Sequence, residues 1–171
     1  MRMPWVALLL ALHACFFEPL SGAAGQNAYR RIPQLNLGVF ACAANPAYRL
    51  FSSHADLVAA VEALAPDAAP PCAALKARFL KGLEDASIRW EEESLVVVEE
   101  YYGTGMATAR LDLTATTPGV VDAAIVWKVP PPPVTPDTVV YRFAFVVNRS
   151  AVRTVVVTGR TPGKTVIPVP R

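Results

Sequence analysis

The chain has 171 residues, 53% of them hydrophobic, and a formal net charge of +2. That is the size of one domain, with enough apolar content for a real core. The basic residues are scattered singly, Arg30-Arg31 being their only adjacent pair; a surface that binds a nucleic-acid backbone needs a clustered stripe, so this partner is excluded.

Arg2, the apolar stretch Trp5 to Leu12 and the small residues Ser21-Gly22-Ala23 follow the order of a secretory signal, which assigns residues 1–23 to a signal peptide. The apolar stretch falls short of the roughly 20 residues that span a bilayer, and no later stretch reaches that length, so the mature chain is expected to have no membrane-spanning segment. Leu12-His13-Ala14-Cys15 resembles a lipobox, in which Cys15 would be lipidated, although His13 and the apolar Phe16-Phe17 depart from the usual form. Either reading exports the same domain, to a periplasmic, secreted or surface-anchored location. Cys42 and Cys72 remain, and an even pair in an oxidising compartment is most simply a disulfide, contributing about 3 to 4 kcal/mol in the chain-entropy model. A reactive or metal-binding pair would want C-x-x-C spacing or nearby histidines, which are missing.

Residues 24–51 mix Pro, Asn and Gly with short apolar runs and read as an extended N-terminal segment that adds an edge strand. Residues 52–171 form the domain proper. Ser53-x-x-Asp56 is a capping arrangement, and Leu57, Val58, Val61 and Leu64 recur at helical spacing until Pro66. Pro70-Pro71 opens a second helix, in which Leu75, Phe79 and Leu83 repeat every four residues. From Ile88 the period becomes two. Leu95 to Val98 is a β-branched run, and Ala107 to Thr114 alternates strictly; the two strands are read as a hairpin joined by Tyr102-Gly103-Thr104-Gly105. Further strands are predicted at Val121 to Val129, at Val139 to Val147 with Tyr141, Phe143 and Phe145 on one face, and at Val152 to Thr158. The loop 130–136, Pro130-Pro131-Pro132-Pro133-Val134-Thr135-Pro136, cannot join a ladder and should be stiff and exposed. The Pro-rich tail 159–171 is an edge strand or unstructured. Two helices followed by strands predict an α+β fold, with two N-terminal helices and then a mainly antiparallel sheet of five or more strands.

No chemistry-bearing constellation emerges. His54 is the only histidine after the signal, which removes most zinc sites and any scheme needing two imidazoles. Ser53-His54-Ala55-Asp56 looks like a triad, but triad members converge from separate elements, so a helix cap is the better reading. Glu91-Glu92-Glu93 and Glu99-Glu100 hold carboxylates, and a glycosidase pair sits roughly 5 to 9.5 Å apart. Both runs read instead as charged surface. Gly163-Lys164-Thr165 resembles the end of a phosphate loop, yet Val166-Ile167-Pro168-Val169-Pro170 cannot continue as its helix. Asn148-Arg149-Ser150 fits a glycosylation acceptor and equally a plain turn. Trp90, Trp127, Tyr101 and Tyr102 either pack in the core or form a recognition surface, with Tyr101, Tyr102, Gly103, Thr104 and Gly105 the best recognition candidates. No catalytic, cofactor-binding or metal residues are assigned.

Ile88-Arg89-Trp90-Glu91-Glu92-Glu93-Ser94-Leu95-Val96-Val97-Val98, followed by Gly103-Thr104-Gly105, resembles the start of the PrcB-type domain. There an aromatic, an acidic spacer and an apolar strand lead into a glycine-rich turn, and a later strand pair is similar to Val139 to Val157. The resemblance covers residues 50–158. It implies an exported β-rich accessory domain without catalytic residues that associates with a surface protease, and it carries over no functional residue. The expected function is thus a noncatalytic binding or accessory module whose partner is another exported or envelope protein. The alternatives are a protease inhibitor acting through the Tyr101 to Gly105 turn or the Pro130 to Pro136 loop, and a carboxylate-dependent hydrolase.

Overall fold

The computed structural model describes residues 28–32, 35, 37–42, 48–64, 70–103, 106–133, 137–160 and 163–171. In order they form β1 (Tyr29–Arg31), a 3-10 helix (Leu37–Cys42), β2 (Arg49–Phe51), α1 (His54–Glu62), α2 (Pro70–Asp85), β3 (Glu93–Tyr102) and β4 (Thr108–Thr114). Then follow β5 (Val120–Lys128), β6 (Val139–Asn148), β7 (Thr154–Thr158) and β8 (Lys164–Pro168). Residues 1–23, read as a signal peptide, with Cys15, the turn residues Thr104 and Gly105, and residues 134–136 of the Pro-rich loop lie outside the described residues.

Both helices form where apolar spacing places them. Ser53 has extended backbone and its hydroxyl accepts the Asp56 N–H at 3.0 Å, so α1 begins one residue later, with Leu57 and Val61 buried on one face. In α2, Phe79 and Leu83 are buried and Leu75 packs beside them. The expectation of two N-terminal helices is nevertheless wrong, because β1, the 3-10 helix and β2 precede them. Those strands have three residues each, too few for a period-two pattern to stand out from the Pro- and Asn-containing segment around them.

The single mainly antiparallel sheet is also overturned. Two four-stranded sheets are present, one ordered β1-β6-β3-β2 and the other β4-β5-β7-β8, making the fold mostly β. The first is antiparallel throughout, while β5 and β7 in the second run parallel. β3 and β4 do not form the expected hairpin. β3 pairs with β6, from Glu93↔Asn148 to Tyr102↔Val139, and β4 pairs with β5 in the other sheet. Alternation tells which residues of a strand share a face but not which strand lies alongside, so strand order was beyond it.

The first sheet is sandwiched. On one face Leu95, Val97, Ala144 and Val146 pack with Phe40, Phe51, Leu57, Val61, Phe79 and Leu83 from the helical side. On the other, Val96, Val98, Phe145 and Val147 meet Leu111, Leu113, Val121, Ala123, Ile125, Val155 and Val157 of the second sheet. A strand covered on both faces reads as a continuous apolar run, which is the physical reason for Leu95 to Val98. Each such side chain is worth about 1.5 to 3 kcal/mol of burial. The second sheet has one outer face, where Thr108, Arg110, Thr114 and Lys128 are exposed, so β4 and β5 alternate. The tail supplies β8 as an edge strand against β7, and Val169 beyond it is buried.

Candidate functional site

Register and ring contacts bring three loops to one end of the sandwich. β3 ends opposite the start of β6 at Tyr102↔Val139, β4 starts opposite the end of β5 at Thr108↔Lys128, and β7 ends opposite the start of β8 at Thr158↔Lys164. The sheets are tied here by aromatic contacts, Tyr102 to Trp127 at 5.0 Å and Trp127 to Tyr141 at 5.6 Å, and the Arg160 guanidinium lies 4.4 Å over the Tyr102 ring. The connections between β3 and β4, β5 and β6, and β7 and β8 therefore gather around one aromatic platform. Tyr101 and Val140 sit opposite each other in the ladder with 51% and 41% exposure, and Met106 and Val129 are exposed in the adjoining connections. Of the five recognition candidates, Tyr101 and Gly103 are exposed and Tyr102 is half-buried in the platform. Pro131, Pro132 and Pro133 of the Pro-rich loop are exposed at the same end. Trp127 packs against the inner core as well, and its indole N–H is buried with no hydrogen-bond partner among the described residues.

The acidic runs are not simply charged surface. Glu93, Glu99 and Glu100 are buried, and successive strand residues point to opposite faces. Glu99 lies on the helical side and accepts Arg142 Nε at 2.6 Å. Glu100 lies between the sheets, where the Tyr48 hydroxyl donates to it. Burial, with the Glu100 carboxylate beside it, pushes the Tyr48 hydroxyl above its ordinary range. Gly159 leaves the room for this pair, since a Cβ there would collide with the Glu100 carboxylate and stand 3.1 Å from the Tyr48 oxygen. Two carboxylates on opposite sides of a sheet, each already partnered, cannot flank one scissile bond. Glu91 and Glu92 are exposed, whereas Glu93 is bridged by Arg30 at 3.0 Å and Arg89 at 3.2 Å, with the Arg89 backbone N–H donating at 2.9 Å. Burial alone would raise the Glu93 pKa, but these donors outweigh it and hold the carboxyl at about 2. This clamp lines a cavity of about 480 Å³ with Tyr29, Asn148 and Ser150. None of these cross-strand partners could be read from the chain, because each joins residues more than 40 positions apart except Arg89 with Glu93.

The remaining motifs take ordinary structural roles. Ser53 and Asp56 form the helix cap, and His54 stacks edge-on against Trp90 at 6.1 Å. Gly163, at φ +114, leads into a strand rather than a helix, so Lys164 and Thr165 have no phosphate cradle beneath them. Asn148 Oδ1 accepts the Ser150 N–H at 2.9 Å, the turn that ends β6. Arg30 and Arg31 point to opposite faces of β1. Cys72 lies in the first turn of α2, which packs on the 3-10 helix that Cys42 ends; the side chain of Cys42 lies outside the described residues. Among the described residues no three His, Cys, Asp or Glu side chains come together as a metal site, and no helix is long and apolar enough to cross a membrane.

A lateral groove completes the surface. It runs along the side of the sandwich where β1 and β6 face β4, with a volume of about 310 Å³, an apolar floor of Ile32, Leu35, Leu37, Leu111 and Phe143, and Arg31, Arg110 and Arg142 around it. Comparison with known proteins gives no family model, curated protein or solved structure that matches this chain.

Proposed function

We propose that this chain is an exported, noncatalytic binding module that recognises another exported or envelope protein through the loop end of its sandwich. The observation that carries the reading is the gathering of Tyr101, Met106, Val129 and Val140, all exposed and apolar, with the Pro-rich loop at that end. Loops held at the end of a rigid sandwich are a common site of recognition, because the scaffold fixes them while their sequence stays free to vary. Export, by the signal read in residues 1–23, and a Cys42–Cys72 disulfide belong to the same proposal. Support for the disulfide is the packing of α2 on the 3-10 helix, where the Phe40 and Phe79 rings meet at 5.5 Å, and a Cys72 side chain that is already engaged. The resemblance to the PrcB-type domain points to a surface protease complex as the partner class.

The test is a pull-down from secreted and envelope proteins, followed by binding of the purified candidate to the wild type and to Tyr101→Ala/Val140→Ser. A partner held by the wild type and lost by the double variant, with its fold unchanged by circular dichroism, supports the reading. Equal binding by both removes the loop end from it. A second reading, protease inhibition, draws on the exposed Pro131 to Pro133 at the same end. Stoichiometric inhibition that vanishes when this loop is replaced would favour it.

A further inference from the structure

We infer that the lateral groove binds an extended acidic peptide segment, which adds as a strand to the open edge of β4. This surface is separate from the loop end and does not depend on it. Three observations meet there. The first is the edge itself. β4 is the outermost strand of its sheet and pairs only with β5, over the seven residues Thr108 to Thr114. The neighbouring edge of β6 is taken up from Val147 to Ala144, whose carbonyl accepts the Ile32 N–H at 3.3 Å. At the far end of β4 the Tyr29 hydroxyl donates to the Leu113 carbonyl at 2.7 Å. Ala109 and Leu111, which line the groove, are the stretch of edge left between. An unpaired strand edge presents backbone donors and acceptors in register for another extended chain.

The second observation is charge. Arg31 is exposed and forms no ion pair among the described residues. By its register with Phe145 it lies on the face turned toward the second sheet, at the mouth of the groove. Arg110 reaches Asp112 through Nε alone, and Arg142 reaches Glu99 through Nε alone, so the terminal nitrogens of both are not taken up by those carboxylates. A guanidinium holds a carboxylate best through two parallel N–H donors, which these arginines still have to offer. The third is the floor. Ile32, Leu35, Leu37, Leu111 and Phe143 are apolar and suit every second side chain of an extended segment, while acidic residues between them pass the arginines. An amphiphile with a carboxylate head would satisfy the floor and the charge but would leave the strand edge unused, and this favours the peptide.

The experiment uses the exported chain, oxidised, and a fluorescein-labelled eight-residue peptide of alternating glutamate and valine, followed by fluorescence anisotropy at low ionic strength. Saturable binding is expected, weakening as salt is added because the contacts are exposed. Arg31→Glu should weaken it at least about tenfold, the scale of one charge-assisted contact reversed in sign. The same peptide N-methylated at alternate amides should lose binding in the register that blocks the β4 ladder and keep it in the other. Tyr101→Ala at the loop end should leave it unchanged, so failure of the groove and failure of the loop end are told apart. Several outcomes would overturn the inference: no saturable binding, equal binding of a lysine–valine peptide, indifference to Arg31→Glu, or indifference to both methylation patterns. Displacement of the peptide by laurate at equal occupancy would also overturn it, in favour of a lipid carboxylate.

Discussion

Glu93→Gln is the substitution that most directly tests how this fold is held. The Glu93 carboxylate is 4% exposed, joins β1 and the turn before β3 through Arg30 and Arg89, and has its pKa lowered from 4.5 to about 2. Because the folded pKa lies below the unfolded one, the clamp contributes its full stability above about pH 5, and that contribution disappears as the pH falls toward 2. At about 1.4 kcal/mol per pH unit of separation, the upper bound is about 3 kcal/mol. Both guanidinium groups are partly in solvent, so screening reduces this to about 1.5 to 2 kcal/mol. Glutamine keeps the shape and removes the charge. Urea unfolding followed by tryptophan fluorescence at pH 7, 5, 3 and 2 should therefore give a variant weaker than wild type by about 1.5 to 2 kcal/mol at neutral pH. The two curves should converge near pH 2. A deficit that stays constant from pH 7 to 2, or one below about 0.5 kcal/mol at pH 7, refutes the electrostatic account and makes the clamp a matter of packing.

Gly159→Ala should cost at least about 2 kcal/mol, because its Cβ meets the buried Glu100 carboxylate and Tyr48; the thermal midpoint reads this, and Glu100→Ala in the same chain should recover part of it. Tyr48→Phe leaves Glu100 buried without its donor and should cost about 1 to 3 kcal/mol in the same assay. Ser87 follows α2 with φ 47, a conformation that costs a side-chain-bearing residue, so Ser87→Gly should stabilise the chain by about 0.5 to 1 kcal/mol in urea unfolding. Phe79→Ala empties the contact between α2 and the 3-10 helix at a side chain with no exposure, and should cost about 3 to 5 kcal/mol.

What could be read in the chain is what short-range periodicity records. Ser53 and the four-residue spacing of Leu57 with Val61 and of Phe79 with Leu83 marked both helices, because the cap and the buried stripe are local. Tyr141, Phe143 and Phe145 marked one face of β6 for the same reason. The division into two sheets was not local. Leu95 to Val98 carried the one hint, an unbroken apolar run that signals a strand covered on both sides, but the run stops short of Glu99 and Glu100, which are buried as well. Charge misled there, since a carboxylate in sequence does not reveal that Arg142 or Tyr48 awaits it across the sheet. Arg31, Arg110 and Arg142 look scattered along 112 positions of sequence and meet only because β1, β4 and β6 share one side of the sandwich.

The pairing of β3 with β6 and of β1 with β6 has a consequence for how the molecule comes into being. A chain that emerges from its N-terminus forward delivers β1 and β3 while their common neighbour, residues 139 to 148, is still to come. Until then β3 has only β2 beside it, the second sheet consists of β4 and β5 alone, and the helices lack Ala144 and Val146 from the surface they cover. Closing such distant pairs is slow compared with helix formation. Completion therefore waits for the last quarter of the chain, and a product cut short before residue 139 would carry an uncovered strand with a strong tendency to find another copy of itself.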